Sequence, residues 1–222
     1  MAVAIRWYAA SLVVFPKPED TAYYVDVARN LLAGRGLVSD ALWSYQTLPL
    51  VVPREAFEVW LPLPTFAAAV PMLILGSTFA AAQVSSVVIG SLVPVLAWRL
   101  AADVTEERGL PSGRARTLAI GTGLTAAVSL PLILHSTLPD STMLFAALTL
   151  AACLLINRIR RAVEPDDRGP NAGETARAST RPTRLLIVLG AVLGLAALTR
   201  NEVVWLALAW VIVAWRLTVP WR

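Results

Sequence analysis

From Thr78 onward the chain alternates nearly uncharged apolar stretches with short polar connectors in which arginine gathers. The apolar stretches cover residues 78–100, 116–134, 142–156, 185–198 and 203–217. A hydrocarbon slab about 30 Å thick takes a helix of about 20 apolar residues, because every backbone N–H and C=O inside it must find its partner within the segment. The alternation therefore predicts an all-α chain, a polytopic transmembrane helical bundle. Composition points the same way: 57% of residues are hydrophobic and 15% charged, against about 25% charged in a soluble domain. Lipid is the expected solvent for much of the surface.

Residues 1–15 are apolar apart from Arg6 and are short for a crossing. They read as a partial transmembrane helix, the outer half of a first crossing. A signal peptide carries its charge ahead of the apolar core, whereas Arg6 interrupts it. Pro16-Lys17-Pro18 stops any helix. Asp20 is then placed to cap a new one, and Tyr24, Val27, Ala28, Leu31 and Leu32 recur at helical spacing. The spacing predicts a helix over Thr21–Ala33, ended at Gly34 and Gly36. Its other face holds Asp26, Arg29 and Asn30, so it is expected to lie along the membrane surface. An irregular loop follows over 37–57, with Trp43, Tyr45 and Pro53. The next apolar run, 60–76, is interrupted by Pro62, Pro64 and Pro71.

Charge orients these segments. The connector 158–184 carries seven arginines and is rich in Pro, Gly and Asp; it is expected to be disordered and cytoplasmic under the positive-inside rule. Counting back places 135–141 outside and 103–114 inside. Residues 16–77 then form one large external first loop with amphipathic or interfacial helices, in which 60–76 is re-entrant or interfacial. Counting forward places 199–202 outside. Glu19, Asp20, Glu58, Asp140 and Glu202, with His135 and Arg200, are thus expected at the external face. Most of the eight tryptophans fall near span ends, as interfacial aromatic belts do.

Several of these residues can carry chemistry. A carboxylate at a water–lipid boundary is partly desolvated, which favours its neutral form and suits Glu19 or Asp20 to general-base work; capping the next helix is the competing role for Asp20. Asp140 is placed to contact an acceptor or to cap the helix from Thr142. Glu58 precedes a proline-rich helix start and reads, from the residues alone, as a solvated loop carboxylate. Arg200 presents a rigid fork suited to phosphate, or is neutralised by Glu202. His135, the single histidine, reads as an interfacial residue. No His/Asp/Glu spacing is by itself a metal site. Cys153, alone in an apolar run, forms no intrachain disulfide.

The string from Glu19-Asp20-Thr21-Ala22-Tyr23-Tyr24 through Ala28-Arg29-Asn30-Leu31-Leu32 to Gly34-Arg35-Gly36 resembles the first external loop of GT-C superfamily membrane glycosyltransferases. The branch it resembles is that of the protein O-mannosyltransferase-like and aminoarabinose transferase-like enzymes. Leu134–Leu148, with Asp140 in Leu-Pro-Asp-Ser, is similar to their second external loop. Gly194-Leu195-Ala196-Ala197-Leu198-Thr199-Arg200 is similar to their Gly-Leu-Ala-x-Leu-Thr-(Lys/Arg) signature. The resemblance implies transfer of a sugar from a polyprenyl-phosphate donor to a protein, glycolipid or polysaccharide acceptor outside a cell membrane. Asp20 becomes the general base of an inverting reaction. Asp140, Arg200, Glu58 and Tyr24 become substrate-contacting residues, and a divalent metal at Glu58 is an open alternative. The usual Asp-Glu pair is Asp20-Thr21 here, with Glu19 one position earlier, so the register of the catalytic acid stays open between the two. Relatives of this type are longer, and 1–222 is expected to be the N-terminal part of such a membrane domain, a fragment.

Competing classes remain in view. The net charge of +4 follows from the connectors, and no basic helix or stacking platform accompanies it, so no nucleic acid is expected. A transporter subunit would place ionisable groups near mid-membrane, where the predicted spans have none. A truncated, non-catalytic membrane protein is the third reading.

Overall fold

The computed structural model of the protein describes residues 1–17, 19–43, 48–163 and 181–218, with the side chains of Glu19, Arg181, Pro182, Leu217 and Thr218 outside that description. The described residues are mostly helical, as an all-α chain requires, with one two-stranded pairing. In chain order come α1 (Ala2–Ser11), α2 (Glu19–Leu32), β1 (Val38–Ser39), β2 (Arg54–Glu55), α3 (Leu63–Leu75), α4 (Phe79–Glu107), α5 (Ser112–Val128), α6 (Leu130–His135), α7 (Ser141–Val163), α8 (Arg181–Ala197) and α9 (Val203–Thr218). Two of them, α4 and α7, are long and apolar enough to cross a membrane. The strands pair antiparallel, Val38 opposite Glu55 and Ser39 opposite Arg54.

The chain forms two compact units, Met1–Ala147 and Leu148–Arg222. In the first, α4 is the central element and packs against α1, α3 and α5. It starts where the Thr78 hydroxyl accepts the amide of Ala81 at 3.1 Å. It runs well past the expected end at Leu100, because the chain offers no glycine or proline until Gly109, where φ of 64° lets it turn away. Against α5 it packs closely, with the Trp98 side chain set over Gly123: a Cβ on Gly123 would lie 2.9 Å from the Cβ of Trp98.

The span expected over 116–134 is two helices. Pro131 has no amide proton, and Ser129 adopts an extended backbone (ψ 116°) that separates α5 from α6. The unserved carbonyls at the end of α5 are met by Arg6. Its guanidinium is fully buried and donates to the carbonyls of Ala127 at 3.1 Å and Ala126 at 3.2 Å, while Nε donates to the Ser136 hydroxyl at 3.0 Å. Buried charge is tolerated only where its donors are satisfied, and here the proline break supplies the acceptors.

The helix expected at 21–33 is present as α2, but it does not lie on a surface by one face. Val25 and Ala28 pack with Ala68, Ala69 and Met72 of α3 and with Phe79, Ala81 and Ala82 of α4. Tyr23, Tyr24 and Val27 pack on the opposite side with Ala41, Trp43, Ala56, Phe57 and Trp60. Its polar residues are turned to partners: Asp26 accepts from the Ser39 hydroxyl at 3.1 Å and the Asp40 amide at 2.8 Å, and Asn30 donates to the Val38 carbonyl at 2.9 Å. Trp43 and Trp60 meet edge to face at 5.8 Å within this cluster. At 13 residues, α3 is about 20 Å long, short of the hydrocarbon thickness.

In the second unit, Ala152 and Ile159 of α7 and Leu189 of α8 form a core flanked by Leu206 and Trp210 of α9. Helix α7 continues beyond the expected end at Ile156 through Arg158, Arg160 and Arg161, good helix formers whose charges complement the negative end of the helix. The rest of the connector expected to be disordered, 164–180, and Tyr45 of the first loop lie outside the described residues. Ile187, Leu73, Ile74, Trp205 and Trp215 stand out as strongly exposed apolar side chains.

Candidate functional site

The site residues of the first unit hang from a polar joint centred on Gln83. This residue lies on α4, is buried, and its amide nitrogen donates to three carbonyls: Ala10 at 3.2 Å, Val13 at 3.2 Å and Thr137 at 2.9 Å. Two of these acceptors close α1 and the third belongs to the turn after α6. One side chain thus ties the segment leading to Glu19-Asp20 to the turn that carries Asp140. Small residues make the joint tight, since a Cβ on Gly90 would fall 2.1 Å from the Ser136 hydroxyl.

Asp20 lies inside the first turn of α2, one position within the helix rather than before it as the expected cap. A carboxylate in the first turn still meets the positive end of the helix. Asp20 is half-buried, and its neighbour Thr21 is closed off completely. Tyr24, a substrate-contacting residue on the sequence reading, is 1% exposed and packs against Tyr23 with ring centres 5.8 Å apart. Tyr23 holds the loop, its hydroxyl accepting the Phe57 amide at 2.7 Å.

Glu58 follows Phe57, which has a positive φ of 70°, a strained backbone for an aromatic residue. Its carboxylate is paired, with Arg54 donating to both oxygens at 3.0 Å. No group of three or more His, Cys, Asp or Glu among the described residues could hold a metal ion. On the other side of the strand pair Arg35 grips Asp40 through two bonds, at 2.7 and 2.8 Å. The hydrogen bond from Arg35 holds the Asp40 carboxyl below its ordinary range.

Asp140 divides its carboxylate between two tasks. One oxygen accepts the amide of Thr142 at 2.7 Å, capping α7; the other lies 3.0 Å from Nδ1 of His135. The cap was one of the two roles the sequence offered, and the pairing with His135 was not foreseen. A signal did exist: an Asp five residues after a His across a short turn can reach back to it. Asp140 is nearly enclosed, with 8% of its side chain exposed, while His135 keeps 44%.

Arg200 and Glu202 belong to the second unit, in the turn between α8 and α9. Arg200 donates to Glu202 from Nε at 3.1 Å and again from Nη2. That bond lowers the Glu202 pKa. The guanidinium proposed for phosphate is therefore the partner of a neighbouring carboxylate.

Comparison with family models, curated proteins and solved structures returned no match for the chain.

Proposed function

We propose that the chain belongs to a multi-pass cell-membrane glycosyltransferase that uses a polyprenyl-phosphate-linked sugar and acts at the external face. The observation that carries this reading is the order of three motifs: Glu19-Asp20 opening a helix that ends in Gly, Leu-Pro-Asp-Ser at Asp140, and the stretch Gly194–Arg200. Two features support it. The Gln83 joint holds the approach to Asp20 and the turn of Asp140 at one end of the first unit. The long apolar helices α4 and α7, with strongly exposed apolar residues elsewhere, suit a protein solvated by lipid.

In this reaction the Asp20 carboxylate takes the proton of an acceptor hydroxyl or amine. The freed electron pair attacks the anomeric carbon from the side opposite the phosphate. The bond from that carbon to the phosphate oxygen breaks, its electrons leave with the polyprenyl phosphate, and configuration inverts. Packing on both faces of α2 gives the base a rigid mount, which is what a reaction limited by orientation needs. The acceptor is a protein, a glycolipid or a polysaccharide.

The test is turnover of a polyprenyl-phospho-sugar by the protein in detergent or lipid. Asp20→Asn should lower kcat by at least about 100-fold with Glu19→Gln less affected. Unchanged turnover in Asp20→Asn removes Asp20 as the base, and equal loss in Glu19→Gln alone moves the register by one residue.

A further inference from the structure

We propose that His135, oriented by Asp140, contacts the phosphate of the lipid-linked donor; this rests on the transferase reading above. The starting point is the set of cationic groups that a phosphate could meet. A departing phosphate gains negative charge as the sugar leaves, and a fixed donor aimed at it is worth more than one that must be recruited. Of the arginines near the expected external face, Arg35 is held by Asp40, Arg54 by Glu58 and Arg200 by Glu202, Arg6 is sealed among carbonyls, and Arg29 donates to the Ser77 carbonyl at 3.3 Å.

His135 differs in geometry. An ionised carboxylate only accepts, so the 3.0 Å contact with Asp140 places a proton on Nδ1. The other nitrogen, Nε2, makes no hydrogen bond among the described residues, and the ring is 44% exposed. The carboxylate is itself immobile, because its second oxygen caps α7 through Thr142. The imidazole is thus a single outward-facing group in a set orientation. When protonated it donates Nε2–H to a phosphate oxygen, and Asp140 balances the charge behind it.

The ring also stands at the right end of the unit. Ser136 and Thr137, the next two residues, take part in the joints made by Arg6 and Gln83. The phosphate would therefore lie beside the turn of Asp140, with Asp20 serving the acceptor from the segment tied to the same joint.

Because His135 is the single histidine of the chain, 15N labelling of histidine gives a clean readout. The full chain in maltoside micelles, free of phosphate, should show the Nδ1–H tautomer. Added polyprenyl monophosphate should shift Nε2 saturably, inorganic phosphate should do so at much higher concentration, and phosphatidylglycerol at equal concentration should not. His135→Gln and Asp140→Asn should each weaken polyprenyl monophosphate binding about tenfold; asparagine is a good helix cap, so Asp140→Asn retains the fold. No shift with polyprenyl monophosphate overturns the proposal. So does an equal response to phosphatidylglycerol, which would mark a general headgroup contact, or a response to inorganic phosphate alone. The readout needs no sugar transfer, so its failure is separate from a failure of the Asp20 test.

Discussion

Arg6 supplies to α5 the hydrogen bond that Pro131 cannot. The carbonyl of Ala127 stands four residues before Pro131, where a helix would deliver an amide proton, and the Arg6 guanidinium donates to it at 3.1 Å from α1. The two residues are unrelated in sequence and belong to one structural unit in space. A single charged side chain thereby joins α1, the end of α5 and Ser136.

Arg6→Leu should lower stability by roughly 1–3 kcal/mol for each buried carbonyl left without a donor. Thermal unfolding in detergent would show it. In a Pro131→Ala background the same substitution should do less damage, because the restored amide can serve Ala127. A loss of equal size in both backgrounds would refute the relationship.

Gly90→Ala should be destabilising by about 1–3 kcal/mol, since its methyl would fall 2.6 Å from the Ser136 Cβ. The matched control is Gly121→Ala in α5, where nothing lies within 4 Å of the added carbon. There the gain in helix propensity, up to about 1 kcal/mol, should leave the protein as stable or more so. Denaturation midpoints of the two variants measure the contrast.

Gln83→Leu removes the donor from three carbonyls while keeping size. Hydrogen exchange should rise at the amides of Val13 and Leu138, which border those acceptors, and much less within the middle of α4. Uniform acceleration along α4 would indicate general unfolding rather than release of the joint.

The pairing of Asp40 with Arg35 should be visible in a carboxyl titration. The Asp40 pKa lies below its ordinary value near 3.8 because Arg35 donates to it. A depressed folded-state pKa contributes stability above the unfolded value and loses it as pH falls through the folded one. The Arg35–Asp40 pairing beside β1 should therefore persist through neutral pH and weaken only below about pH 4. In Arg35→Gln the Asp40 titration should move back toward the ordinary value; NMR of the carboxyl carbon reads both.

Much of the local structure is legible in the residues. Gly34 and Gly36 end α2 where the periodic pattern stops, Thr78 opens α4, and Asp140 caps α7. Each of these depends on atoms within a few positions. The partners of the polar residues of α2 were not legible. Asp26 and Asn30 look like a solvated face until Ser39, Val38 and Asp40 are brought against them. Hydropathy also counted 116–134 as one crossing, because it does not register that Pro131 breaks the ladder.

The sequence by itself determined the helical class, the apolar stretches and the stop and start signals, since these follow from backbone hydrogen bonding and side-chain transfer energies acting locally. The tertiary structure alone decided which polar groups are partners. Arg6 with the end of α5, Gln83 with three carbonyls, Glu58 with Arg54, and His135 with Asp140 depend on where the chain returns to itself. A hydrogen bond demands a partner within about 3 Å, and the turns and helix packing around each residue set that separation.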